Sequence, residues 1–217
     1  MMNKDRLCML VPDGAYERVL PALLTQRAAS LGIREVDHEP PIKDPFKDSS
    51  YEAVSLIRPY LRSCSHFLVV RDLHGSGWEE QGAEALQAKI MGDLLKNGCP
   101  EDRTKVIIVE PEIEIWLRIG STHMKQLVRQ RARANGAEVD MLFDQLVQEK
   151  LNAFGGVTVS GKPTDPKKVF EEVLKHYRIS RSNVLYEELA KTESLRHCQV
   201  SSFLELVTTL QTWFPAP

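Results

Sequence analysis

Three short, uninterrupted apolar runs, Leu7–Val11, 67–70 and 106–109, do most to limit what this chain can fold into. Each ends abruptly, at Pro12-Asp13-Gly14, at Arg71-Asp72 and at Glu110-Pro111. A run this short, with no polar residue alternating through it, suits a strand covered on both faces better than one with a wet side. The intervening segments have helical period instead. Val19, Leu20, Leu23, Leu24 and Leu31 share one face before Gly32, with Pro21 expected to kink that helix or set its first turn. Ser49 and Glu52 have capping-box form ahead of Val54, Ile57 and Leu61, and Ala83, Leu86, Ile90 and Leu94 form a third stripe. Residues 33–36 are a weaker strand candidate, followed by a proline-rich loop at 40–45. Strands alternating with helices imply right-handed crossovers. The expected class is α/β, a mainly parallel four-stranded Rossmann-like sheet flanked by helices.

From Ile113 onward the pattern turns helical, apart from a short hairpin expected near residues 155–161. Asp165 before Pro166 reads as a cap followed by proline in the first turn, with Val169, Phe170, Val173, Leu174 and Tyr177 behind it. Ser202 and Glu205 have capping-box spacing at the head of a last helix carrying Phe203, Leu206, Val207 and Leu210. The expected organisation is an α/β core over 1–117 and a helical cap over 118–217 packed on it.

With 42% apolar and 27% charged residues the chain has the balance of a folded protein, not of a disordered one. Its formal charge of −2 supplies no global basic field, so nucleic-acid binding would need a local patch. Cys8, Cys64, Cys99 and Cys198 lack the short spacing of a zinc knuckle or redox pair and read as ordinary reduced thiols. The first apolar run is too short for a signal peptide and none is long enough to cross a bilayer, so a cytoplasmic location is expected.

Ligands of open parallel sheets collect at the carboxyl ends of the strands. On this reading the first strand delivers Asp13, with Glu17 a turn on. The third delivers Asp72 and His74, and the fourth runs into Glu110, Glu112 and Glu114. Carboxylates drawn to one rim repel unless they are protonated or bridged by a cation, which makes a divalent metal site the sharp reading. The plainer one is that these acids cap helices and face solvent. No phosphate loop, dinucleotide fingerprint or Gly-x-Ser-x-Gly elbow is present. From 115 to 137 there is no acidic residue, and Lys125, Arg129 and Arg133 fall at i, i+4 spacing. That stripe either neutralises successive phosphates or is a solvated helix face.

The segments Val11-Pro12-Asp13-Gly14-Ala15-Tyr16-Glu17 and Val69-Val70-Arg71-Asp72-Leu73-His74 together resemble the TOPRIM fold, in which a glutamate follows the first strand and an Asp-x-Asp pair the third. Val109-Glu110-Pro111-Glu112-Ile113-Glu114-Ile115-Trp116-Leu117 is similar to a "piEaWl" signature of a TOPRIM-like family of unknown function, frequent in bacterial defence islands. Gly161-Lys162-Pro163 and Ser201-Ser202-Phe203 also look like that family; residues 118–157 do not. The resemblance implies Mg2+ or Mn2+ held by Asp13, Asp72, His74 and Glu112, with Asp72, Glu112 and Glu17 as catalytic residues. It departs from the pattern at Pro12-Asp13 and at His74, a ligand better suited to softer ions.

Two functions follow. One is an antiviral defence protein acting on nucleic acid by metal-dependent phosphodiester cleavage, with Lys125, Arg129 and Arg133 on the phosphates. The other is a non-catalytic subunit that binds protein partners of a defence complex, its site a relic. A small-molecule phosphohydrolase using the same rim is a more distant third.

Overall fold

A computed structural model describes residues 5–45, 50–132, 136–158, 161–192 and 198–217. Its centre is a four-stranded, wholly parallel sheet in the order β2-β1-β3-β4. The strands are β1 (Leu7–Val11), β2 (Ile42–Lys43), β3 (His66–Asp72) and β4 (Thr104–Val109). Every residue of β1 is buried, and so is β3 up to its last residue, as their apolar runs require. Alternate side chains feed two separate cores. Cys8, Leu10, Phe67, Val69, Val106 and Ile108 pack with α3 (Ser50–Ile57) and α4 (Ala83–Lys96). Leu7, Met9, Val11, Leu68, Val70, Ile107 and Val109 face α1 (Gly14–Gln26) and the C-terminal helices.

Two expectations about the first half are corrected. Residues 33–36 are not a strand: Ile33 makes only an isolated bridge to Pro215, and Ile33 and Val36 are apolar because they lie in the core. The strand that pairs with β1 lies instead in the proline-rich loop, Leu10 against Ile42 and Val11 against Lys43. Pro21 lies well inside α1, and the helix runs on through it. Ser49, and with it the expected capping box, lies outside the described residues. All four cysteines are buried free thiols.

After α2 (Ala28–Leu31), which ends on left-handed Gly32, the remaining helices all follow β4. They are α5 (Thr122–Arg131), α6 (Gly136–Ala153), α7 (Pro166–His176), α8 (Asn183–Thr192) and α9 (Ser201–Trp213). Their apolar faces merge with that of α1: Phe143, Phe170, Val173, Leu185, Tyr186, Leu189, Phe203 and Leu206 belong to the same cluster as Leu20, Leu23 and Leu24. Asp165 caps α7 as its sequence suggests, accepting from the Lys168 amide at 2.9 Å. Ser202 does not cap α9. That helix starts one residue earlier, and the Ser202 hydroxyl accepts from the Trp116 indole at 3.0 Å inside the core. Ile115 and Trp116 close a single 3-10 turn over Ile113–Ile115 where a helix was expected to begin. Near 155–161 the chain makes one antiparallel bridge, Val157 to Pro163.

At the outer edge of β4, Gln87 donates to the Val106 carbonyl at 2.6 Å and to Glu205, which also pairs with Lys105. Among the described residues no helix is long and apolar enough to cross a membrane.

Candidate functional site

Chain order places the switch point of the sheet between β1 and β3, since the connection from β1 runs outward to β2 and the one from β2 returns across it to β3. The crevice at the carboxyl ends of those strands is where this architecture binds ligands. Asp13, Asp72, Glu112 and Glu114 influence one another electrostatically there, as the charges of the other three all act on Asp72.

Asp72 ends β3, and its Oδ1 accepts the hydroxyl of Tyr16, a fully buried residue one turn into α1. Burial pushes its carboxyl up to about 8; the Tyr16 bond pulls the other way, and the charges of Asp13, Glu112 and Glu114 push it further up. Tyr16 is raised well above its ordinary value, first by burial and then by Asp72. Its ring stands edge-on to Trp116 at 5.8 Å. Asp13 serves as the cap of α1, with Oδ1 2.8 Å from the Ala15 amide and 3.3 Å from that of Tyr16. Glu17 points to solvent from the first turn of the same helix.

Of the three glutamates after β4, Glu110 is exposed, whereas Glu112 and Glu114 are buried. Glu112 has both oxygens on Lys167 of α7, at 3.0 and 2.9 Å, and Oε1 also lies 2.9 Å from Nδ1 of His74. His74 reaches it because the loop after β3 is tied to the end of β4 through two backbone bonds, Leu73 N to Val109 O and His74 N to Pro111 O. Glu114 is 1% exposed and accepts the Tyr186 hydroxyl of α8, with Arg181 at 3.6 Å. Burial raises its carboxyl, and the bond from Tyr186 opposes that. Lys167 is raised above its ordinary value: burial pulls it down, but the bond to Glu112 and the charges of Glu112 and Glu114 outweigh that.

The floor of the crevice is filled too. A Cβ added at Gly14 would lie 2.1 Å from the side-chain Nδ2 of Asn183 at the head of α8, so the Asn183 side chain takes the space that this glycine leaves. The Mg2+ or Mn2+ that the resemblance implies does not fit this arrangement. Glu112 holds an ammonium on both oxygens, Asp13 gives Oδ1 to two backbone amides, and Glu114 faces a tyrosine and a guanidinium. Among the described residues no three His, Cys, Asp or Glu side chains come together so as to hold a metal ion.

Of the expected site residues, Asp13, Asp72, His74 and Glu112 share the rim, whereas Glu17 lies outside it. The basic stripe is on a different part of the molecule. Lys125 pairs with Asp144 at 2.9 Å and Arg129 with Asp140 at 3.0 Å, so the i, i+4 cations of α5 meet i, i+4 acids of α6. Arg133 lies outside the described residues. Glu114, named from sequence with Glu110 and Glu112 at the end of the fourth strand, belongs to the site, and so do Tyr16, Lys167, Arg181 and Tyr186, which were not singled out as site residues from sequence. For Glu114 a signal existed: it lies between Ile113 and Ile115 with Trp116 next, so the turn they make has to be buried. The chain gives no match to models of known protein families, to curated proteins or to solved structures.

Proposed function

We propose that this chain is a non-catalytic, partner-binding subunit of TOPRIM-like build from a bacterial defence system, its acid rim retained as the joint that fastens the C-terminal helices to the sheet. One observation carries the reading: the four rim carboxylates each have a partner inside the protein, and three of the partner side chains, Lys167, Arg181 and Tyr186, come from the second half of the chain. That half is not a removable lid. Tyr186, Leu185 and Leu189 of α8 and Val169 and Phe170 of α7 are buried in the same core as α1, and exposing such side chains costs roughly 1.5 to 3 kcal/mol each. The defence setting comes from the motif resemblance alone.

Metal-dependent cleavage of nucleic acid at the same rim is the competing reading. It draws on Asp72, whose carboxyl is raised first by burial and then by the like charges of Asp13, Glu112 and Glu114, the part that a cation would relieve. The two separate in one experiment. Folded protein is incubated with single- and double-stranded DNA and RNA in Mg2+ and in Mn2+, and separately co-expressed with the product of the adjacent gene. Intact nucleic acid together with a stable complex is the expected result. Cleavage lost in Asp72→Ala, with folding intact, would overturn it.

A further inference from the structure

We propose that the uncharged face shared by α9 and α2 is where two copies of this chain meet, Leu204 of each copy entering the groove between those helices on the other. This does not rest on the non-catalytic reading, since the face holds none of the rim residues.

A helix on a protein surface ordinarily turns charge outward. α1 exposes Glu17 and Arg18, α4 exposes Glu84 and Lys89, and α7 exposes Lys168 and Lys175. α9 does not follow them. Its thirteen residues hold one charged group, Glu205, which is paired with Lys105, and the residues it exposes are Ser201, Leu204, Thr208, Gln211 and Thr212. α2 has no charge at all, and Ala29 and the Gly32 that ends it are exposed. Arg27 and Arg34, the nearest charges on either side of α2 in the chain, are turned to other partners, the Lys191 carbonyl and Asp5. Loss of charge, more than gain of apolar area, marks the centre of a protein interface.

The same face carries a projection and the recess that takes it. The projection is Leu204, 42% exposed in a helix whose other leucines, Leu206 and Leu210, are buried. The recess is the groove beside it, lined by Ala29 and Gly32 from α2 and by Phe203, Leu204, Val207 and Gln211 from α9. Gln211 is used up within it, donating to the Leu31 carbonyl at 2.8 Å. Val200, Leu204, Val207 and Gln211 follow one another at steps of four, three and four, the spacing with which one helix seats against another.

Chemistry selects the occupant. A face with net charge repels its own copy across a two-fold axis, and this face has none to repel with. Because Leu204 is both the projection and one wall of the groove, an axis beside it seats each Leu204 in the other copy's groove and brings the two leucines together. The contact is small. Thirteen residues make a helix about 20 Å long and about 10 Å across, a strip short of the roughly 800 Å² that each partner gives to a standard interface. The pair is accordingly weak, with a dissociation constant on the order of 100 μM.

The test is sedimentation equilibrium of the whole protein from about 10 μM to about 1 mM, a span that brackets that constant. The wild type is expected to pass from monomer to dimer across it. Leu204→Glu should stay monomeric throughout, because each copy would press a carboxylate against its counterpart. Leu204→Arg alone should do the same. An equimolar mixture of the two variants should recover the dimer, since glutamate then faces arginine across the axis. Met141→Glu, at a 73% exposed apolar residue of α6, should dimerise as the wild type does. Unchanged thermal unfolding will show that the variants fold. A wild type that stays monomeric would give the face to another occupant and overturn the assignment. So would a Leu204→Glu protein that dimerises, a mixture that does not, or loss of the dimer in Met141→Glu.

Discussion

The strand-end rim and the α5–α6 hairpin are both organised by charge, yet they use it in opposite ways. In the hairpin Lys125 and Arg129 meet Asp144 and Asp140 across a surface where side chains are up to 73% exposed. In the rim, Glu114 and Glu112 are withdrawn to 1% and 7% exposure, and each finds its partner in a segment more than fifty residues away. Water screens the first set, so those pairs are nearly neutral to stability. It is kept from the second, so a missing partner there leaves a desolvated charge. A regular charge pattern in sequence says little about which case applies; burial decides, and burial is set by what surrounds the charge.

Changing the rim should therefore cost far more than changing the hairpin, and the largest effect is one of pH. Asp72 moves from 3.8 to about 8 on folding. Below about pH 4 it is protonated whether the chain is folded or not. Between there and about 8 the folded chain binds the extra proton, so stability falls with rising pH across that window and levels off beyond it. The whole shift is worth on the order of 5 kcal/mol. Asp72→Asn keeps an acceptor for Tyr16 and cannot ionise. Urea unfolding at pH 5 and at pH 9 should show the variant gaining on the wild type as pH rises; parallel pH profiles would mean that water reaches the Asp72 carboxyl.

Next in size is Tyr186→Phe, which takes a hydroxyl from a carboxylate that is 1% exposed. The loss is expected at about 2 kcal/mol, the cost of leaving a buried acceptor short of a donor. Denaturant midpoints measure it, and a change below about half a kcal/mol would bring the rim down to the level of surface pairs. Lys167→Met should cost less, because His74 stays on Glu112 and Lys167 is itself partly exposed.

How much of this was legible beforehand follows the same division. β1, β3 and β4 were visible because a strand buried on both faces writes an unbroken apolar run. β2 was not: its two residues are half-buried and exposed, too few and too mixed for any period. Residues 33 and 36 supplied a misleading substitute, since the core also wants apolar groups in irregular chain. At the rim, strand ends pointed to Asp13, Asp72 and Glu112, but nothing local marks Lys167 or Tyr186 as their partners, because those contacts exist only once α7 and α8 have docked. The hairpin differs. Asp140 and Asp144 repeat the spacing of Lys125 and Arg129 across a short connection, yet the stripe was weighed from sequence only against phosphates or solvent, and its acids were found in the structure.

That reciprocity yields the smallest prediction and the one that bears on nucleic acid. Two cations paired with two acids present little net charge to a phosphate backbone, and salt-dependent binding comes from phosphates that the protein neutralises. Lys125→Ala and Arg129→Ala should each change stability by no more than about 0.5 kcal/mol, and a double-mutant cycle of Lys125 with Asp144 should return a coupling of the same order that shrinks in high salt. Binding to a duplex, followed by anisotropy at low salt, should be weak in the wild type and indifferent to either substitution. Tight binding that both substitutions weaken, with a reduced salt slope, would mean that α5 exchanges Asp140 and Asp144 for phosphates when DNA or RNA arrives. The contrast between the two regions would then invert: the surface pairs would be the ones held in reserve for a ligand, and the buried ones the fixed part of the architecture.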